Sequence, residues 1–450
     1  MSVATGSMQR PAARGMKTFT LIWTGQLVSL IGSGLTSFAL GVWVYQTTGS
    51  ATQYALIPLF FTLPNLLLSP LAGALVDRWD RRWVMILSDT GAALTTLTIA
   101  LLLRAGQLQV WHIYLAVGVG SAFSVFQWPA YSAATTLLVA KKHYGRASGM
   151  VQLGQAIGHI ISPVLAGLLV VKIQVWGVIL LDFATFLFAV ITLLFVHVPR
   201  PETTAEGEES KGTLLREAAY GWTYLIVRPG LMGMLILFAT LNFLMGFTNA
   251  LFTPMILAFT SADVLGTVLS IAGSGMLVGG LVMSIWGGSK RRIRGLLGFL
   301  MLAELSIVAI GLRPSVPLIA AASFGFFFCI PIVSGSSQAI WQSKVAPDVQ
   351  GRVFSVRSMI ATSATPLAYI LAGPLADRVF EPLLAVGGPL AGSVGRIIGA
   401  GPGRGIGLIF ILMGVFNMLA TAVGYLYPRI RLVEDELPDA IAGETPAADE

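Results

Sequence analysis

The sequence predicts an all-α membrane protein of twelve transmembrane helices in two six-helix halves, and three observations point there. The first is composition. Of 450 residues, 55% are hydrophobic and only 11% are charged, where a soluble domain carries roughly 25% charged residues. The second is arrangement. The charges fall between apolar runs, most of them long enough for a helix to cross a hydrocarbon core of ~30 Å. Only helices or closed barrels satisfy their backbone in lipid, and no strand-length stretches of alternating polarity occur that would build a barrel. The third is repetition of charged landmarks between the two halves of the chain.

Taken in order, residues 1–18 are polar and basic, with no signal-peptide core before the first span. Six spans are then expected: Phe19–Trp43, Thr52–Val76, Trp83–Leu103, Trp111–Leu138, Ala147–Val171 and Val175–Phe195. The fourth is expected to leave the membrane near Pro129. Residues 19–198 form the first half. The linker 199–229 follows, rich in Glu, Ser and Thr at its start. Within it, Leu214–Val227 is expected to be a surface helix with Trp222, Tyr224 and Leu225 on its lipid side. The second half, 230–428, holds Leu231–Phe259, Val264–Trp286, Leu296–Leu312, Pro317–Trp341, Val353–Leu375 and Ile406–Leu426. An acidic tail, 429–450, closes the chain.

Twelve spans put both termini on one side. The terminal segments and the links on that side hold 22 of the 28 Lys and Arg residues. The positive-inside rule therefore puts both termini in the cytoplasm of a cell membrane. A net charge of +7 reflects this basic inner face rather than nucleic-acid binding. Cys329 is the single cysteine, so neither a disulfide framework nor a cysteine metal site is expected. The expected partners are the lipid bilayer and a small-molecule substrate, with the monomer as the working unit and no cofactor.

Landmarks recur between the halves. Arg81-Arg82 and Arg291-Arg292 are 210 residues apart, and Gly145-Arg146 and Gly351-Arg352 are 206 apart. Duplicated six-helix halves fit an alternating-access carrier with substrate bound between them. The copies differ at one place, since Gly287 aligns with Asp77.

The short link Gly73 to Arg82, G-A-L-V-D-R-W-D-R-R, must be a tight hairpin at a membrane surface. With twelve spans and a central cytoplasmic loop, its Gly73, Asp77, Arg78, Arg81 and Arg82 resemble the loop motif of the major facilitator superfamily. Asp80 stands where that family usually has glycine. The resemblance implies a conformational latch formed by those five residues, away from substrate. Gly373, Asp377 and Arg378 repeat the pattern at the outer end of span eleven and are discounted for that position. The fifth span, with Gly154, Gly158, Ser162, Pro163 and Gly167, resembles the glycine helix that marks antiporters and exporters in the superfamily. Its small residues recur every four positions and make a stripe for close helix contact. The first half as a whole, with GQLVSLIGSGLTSFALGVWVYQTTGSAT at 25–52 and FQWPAYSAATTLL at 126–138, is similar to the drug and siderophore exporters of that superfamily, among them macrolide efflux and enterobactin export proteins.

Ionisable groups inside spans are costly, which makes them functional candidates. Asp89, His159, Asp182 and Glu304 are the candidate proton carriers, with pairing to the loop arginines the alternative for Asp89. Trp23, Gln26, Gln127, Gln152, Gln155, Asn242 and Gln338 are the candidates for a substrate cavity, with Asn65, Trp128, Asn249, Trp341 and Asn417 beside them; amides and indoles amid apolar walls suit an amphiphile. The glycine-rich link 380–404 is not a phosphate loop, because no Lys-Ser/Thr follows it; it is read as a plain loop, a re-entrant turn or an outer lid. The expected function is secondary export of an amphiphilic small molecule driven by a proton gradient. An importer or facilitator is the alternative, and a membrane enzyme a remote one, since no metal spacing or nucleophile elbow occurs.

Overall fold

The computed structural model describes residues 12–76, 79–139, 144–196, 222–345 and 350–437. Every regular element among them is helical. Eleven of these helices are long and apolar enough to cross a membrane. One of the eleven, Leu153–Leu194, runs for 42 residues, which at 1.5 Å per residue is about 63 Å, twice a hydrocarbon core. It belongs to α5, Tyr144–Leu194, in which Gln174 has φ 58° and ψ 174°. That non-helical residue ends one pass and begins the next, which restores the expected twelve.

The chain divides into two compact units, one drawn from residues 1–40 and 60–203, the other from 41–59 and 204–450. The first unit contains most of α1 (Ala12–Thr48) and α2 (Ala51–Val76), all of α3 (Arg81–Arg104) and α4 (Val110–Leu138), and α5. Asp80 is the N-cap of α3. Its backbone is extended at φ −67°, and its carboxylate accepts the Arg82 N–H. No glycine is required there, which explains how the chain accommodates the departure from the family pattern. One core joins Phe19 and Ile22 of α1, Met85 of α3, Ala130 of α4 and Leu193 of α5. The α5 stripe lies against α1: β-carbons at Gly154 and Gly158 would stand 3.3 and 3.1 Å from Trp23 and Leu30 side-chain atoms. Ser162 donates to the Ile31 carbonyl at 3.2 Å.

The second unit contains α6 (Pro229–Leu257), α7 (Ala262–Trp286), α8 (Arg292–Leu312), α9 (Val316–Lys344), α10 (Gln350–Ser363) and α11 (Thr365–Leu375). A π-helical turn, Ala376–Phe380, leads to α12 (Glu381–Leu384), then α13 (Val394–Ile398), α14 (Arg404–Leu426), α15 (Pro428–Arg431) and α16 (Val433–Glu436). Leu231, Leu296, Ile340, Trp341 and Val353 are central to its core. Helix α8 packs against both α9 and α14. Gly414 allows the α14 contact, because a β-carbon there would stand 2.6 Å from the Val308 side chain and 3.0 Å from the Glu304 carbonyl. Large apolar side chains remain uncovered on both units, among them Phe195 (83% exposed) and Ile285 (87%). Lipid is the solvent that tolerates them.

Helix α4 runs past Pro129 to Leu138, while its stretch apolar enough to cross a membrane ends at Tyr131, close to the expected exit. Three expectations change. Leu225 is not on a lipid side. It is fully buried in the second core, where Tyr224 packs beside it, and only Trp222 of the three is exposed. Residues 222–226 are helical, and the earlier part of that surface helix falls outside the described residues. Span eleven breaks after Ser363, with proline near the start of α11, where its missing N–H costs nothing, and then runs on to Leu384. The link beyond it is a tethered structure rather than a plain loop. Glu381 accepts the N–H groups of Gly403 and Ile406 at 3.1 and 2.9 Å, capping α14.

Candidate functional site

Within the first unit, three polar side chains from three helices converge. Gln26 of α1 donates to one Asp89 carboxylate oxygen at 3.0 Å, and Gln127 of α4 donates to the other at 2.5 Å. Gln127 also donates to the Gln26 carbonyl at 2.7 Å. Asp89, on α3, is 1% exposed. A buried carboxylate needs such donors, and two amides supply them. Asp89 is therefore not tied to Arg82, whose guanidinium donates to the Leu193 and Leu194 carbonyls at 2.9 and 2.6 Å and closes the last turn of α5. Trp23 is occupied as well, its indole donating to the Met150 carbonyl at 2.8 Å. Asp182 is buried where α5 meets α1. Thr185 lies 3.5 Å from its carboxylate, and a β-carbon on Gly32 would stand 2.7 Å from the same oxygen. Gln155 is half-buried and Gly167 buried on α5. The side chains of Gln152 and His159, the surroundings of Gly73, and all of Asp77 and Arg78 lie outside the described residues.

Within the second unit, α6, α8, α9 and α10 surround a cavity of about 820 Å³. Its walls are apolar and aromatic: Met234, Phe238, Met245, Phe326, Trp341 and Phe354. Asn242, Glu304, Gln338 and Arg357 are the larger polar groups that enter it, beside several serine and threonine hydroxyls. The volume falls in the range of a site for a drug-sized ligand. Arg357 donates to Gln338 at 3.2 Å and to Ser337 at 3.1 Å, and lies 4.7 Å above the Trp341 ring. A guanidinium held by two acceptors and an indole face is fixed in position.

Glu304 is different. It is 4% exposed, and its Oε2 has no hydrogen-bond partner. Asn417 of α14 stands beside it, and both amide atoms of Asn417 are also without partners. A carboxylate held in this way, at the edge of a cavity, has capacity left for a proton, a water or a cationic ligand group.

The sequence-predicted residues thus separate into two groups. Asn242, Gln338 and Glu304 meet in the cavity, while Gln26 and Gln127 meet at Asp89. Trp341, another of the sequence candidates, is in the cavity wall, and Asn417, also a candidate, is beside Glu304. Arg357 is the one sequence reasoning missed, although its place four residues inside the expected span Val353–Leu375 is a usable signal. Nothing in the sequence pairs Asn417 with Glu304, which is 113 residues earlier.

A family model described as Major Facilitator Superfamily matches residues 22–369. Macrolide efflux protein A of Streptococcus pyogenes is 30% identical over 371 residues, covering 80% of this chain and 90% of that protein. The multidrug efflux pump Tap of Mycolicibacterium fortuitum is 25% identical over 370 residues, covering 79% and 88%. Among solved structures, a bacterial homolog of the human lysosomal transporter Spinster, inward-facing and unoccupied, aligns with a TM-score of 0.71 over 95% of this chain and 99% of that one. Its sequence identity is 14%, so this last likeness concerns the fold.

Proposed function

The chain belongs to the Major Facilitator Superfamily, and from that premise we propose that it exports an amphiphilic small molecule, drug, macrolide or siderophore-like, in exchange for protons. It is a multi-pass membrane transporter and not an enzyme. Export is supported by the relatives, whose names are macrolide efflux protein A and multidrug efflux pump Tap. The substrate class is supported by the cavity. Apolar and aromatic walls with a few polar groups reward contact area more than fixed partners, which suits an amphiphile.

The single observation that carries the coupling is Glu304, a buried carboxylate with an unmatched oxygen at the cavity wall. Ionised, it attracts a cationic or donor group on the substrate. Protonated, it loses that attraction and lets the substrate leave. One group thus exchanges proton for substrate, while the apolar and aromatic walls retain part of the substrate's binding in either state. Asp89 and Asp182 stand second, because amides or a hydroxyl already face their carboxylates; His159 stands with them.

The inner face follows from charge. With most Lys and Arg on the terminal side, both termini lie in the cytoplasm and the protein sits in the cell membrane. The Gly73, Asp77, Arg78, Arg81 and Arg82 run acts as the latch on that face. The test is transport into inside-out vesicles. An imposed inward-acid gradient should drive accumulation of a macrolide or similar amphiphile. Accumulation that ignores the gradient removes the proton, and none at all with any amphiphile removes the export reading.

A further inference from the structure

The discounted triplet Gly373, Asp377, Arg378 has a partner in the fold. The carboxylate of Asp377 accepts three hydrogen bonds from the start of α2: Ala51 N–H at 2.9 Å, Thr52 N–H at 2.8 Å and the Ser50 hydroxyl at 2.6 Å. Ser50 in turn accepts the Gln53 N–H at 3.2 Å. The first three donors of α2, which have no partner within the helix, are all satisfied, two of them by a residue more than 300 positions away. The helix dipole adds to the attraction for a negative group. Gly373 makes the approach possible. A β-carbon there would stand 2.3 Å from the Thr52 α-carbon, a distance no side chain permits.

The same words are spelled twice in the sequence. Gly73-Ala-Leu-Val-Asp77-Arg78 and Gly373-Pro-Leu-Ala-Asp377-Arg378 share glycine, leucine, aspartate and arginine at matching spacing. A π-helical turn at Ala376–Phe380 aims the second aspartate, and such turns concentrate at functional positions. The turn it grips, within 41–59, groups with the second unit, whereas α1 and α2 on either side of that stretch group with the first.

We propose that Asp377 is a releasable clasp: its carboxylate holds the α1–α2 turn onto the end of α11, and each transport cycle must open and remake this contact. Its partners are backbone N–H groups and one hydroxyl, so water can replace them at little cost once the turn moves away. An ion pair or a packed apolar contact would release less readily. Asp377 is a positioning residue, since it touches no part of the cavity. The inference rests on the carrier reading for the cycle, but its main readout needs no substrate.

The experiment uses the full chain in proteoliposomes with Cys329→Ala and a reporter Ala55→Cys. Ala55 is fully buried one turn beyond the clasp. Labelling by an impermeant maleimide reports opening of the turn. Asp377→Ala should raise the labelling rate about tenfold or more, as loss of charged hydrogen bonds shifts a two-state balance. Ser50→Ala, which removes one donor and keeps the carboxylate, should raise it less. Gly373→Ala should raise it without touching the carboxylate. Turnover should change in all three while equilibrium substrate binding stays within twofold, roughly the scatter of such assays. Unchanged labelling in folded Asp377→Ala and Gly373→Ala carriers overturns the clasp. Unchanged labelling with only a lowered melting temperature overturns it as well, by reducing Asp377 to a static cap. Neither result would bear on export itself.

Discussion

Glu304→Gln is the substitution that most directly separates coupling from binding. Glutamine keeps the shape of the side chain and removes the proton site. Its amide can donate to the Asn417 carbonyl oxygen, which has no partner in the native structure, so α8 and α14 should keep their packing. The magnitude follows from the cavity. Glu304 is the one carboxylate lining it among the described residues, so the proposed coupling through it moves one proton per cycle. A gradient of one pH unit is worth about 1.4 kcal/mol per proton, and that sustains about a tenfold concentration ratio. With the membrane potential clamped at zero, native carrier in inside-out vesicles should therefore plateau near tenfold accumulation per pH unit, about a hundredfold for two units. The Glu304→Gln carrier should plateau at about onefold, with no concentrating power. Exchange of labelled for unlabelled substrate should persist, because that step moves no proton. A tenfold plateau in the variant would place the coupling proton elsewhere and refute the argument.

Three further outcomes follow from packing and hydrogen bonding. Gly414→Leu forces a side chain into Val308 and the Glu304 carbonyl; overpacking of this kind costs about 1–3 kcal/mol and should lower the melting temperature of the detergent-solubilised protein, while a wild-type melt would mean α8 and α14 are not in contact. Arg82→Ala leaves the last carbonyls of α5 without donors at a cost of about 1–2 kcal/mol, with Arg82→Lys recovering only part because a lysine cannot serve two carbonyls in the same forked geometry; equal melts for all three proteins would contradict the pairing. Asp89→Leu strands the Gln26 and Gln127 amides and should destabilise by about 2–4 kcal/mol, whereas a Gln26→Leu, Gln127→Leu, Asp89→Leu triple variant should recover stability. If the triple variant melts below Asp89→Leu, the three side chains do not form one network.

The spans were legible because lipid imposes a simple rule on sequence. A helix must be apolar for about 20 residues whatever its neighbours are, so composition along the chain marks it. Even the break at Gln174 falls in the gap expected between Val171 and Val175. The stripe of Gly154, Gly158 and Ser162 was legible as a close-packing face, since small residues at a four-residue spacing have few other uses in a membrane. Its partner on α1 was not. The polar residues divide in the same way. Glu304 and Asp89 stood out as charges in apolar runs, yet which candidate side chains they meet did not. For Asp89 the sequence left a proton carrier and a pairing with the nearest arginines open, and two glutamines hold it. Asp377 was set aside for lying at the wrong end of its helix, and there it caps α2.

The sequence by itself determined that this chain spans a membrane about twelve times, which family it belongs to, and which buried groups are expensive enough to need a reason. Only the tertiary structure decided which groups meet: Gln26 and Gln127 on Asp89, Arg357 across Trp341, Asn417 next to Glu304, and Asp377 at the head of α2. The division has a physical cause. Hydrophobic burial in lipid is set residue by residue along one helix, whereas a hydrogen bond needs two groups within about 3 Å, and only packing brings distant parts of the chain that close.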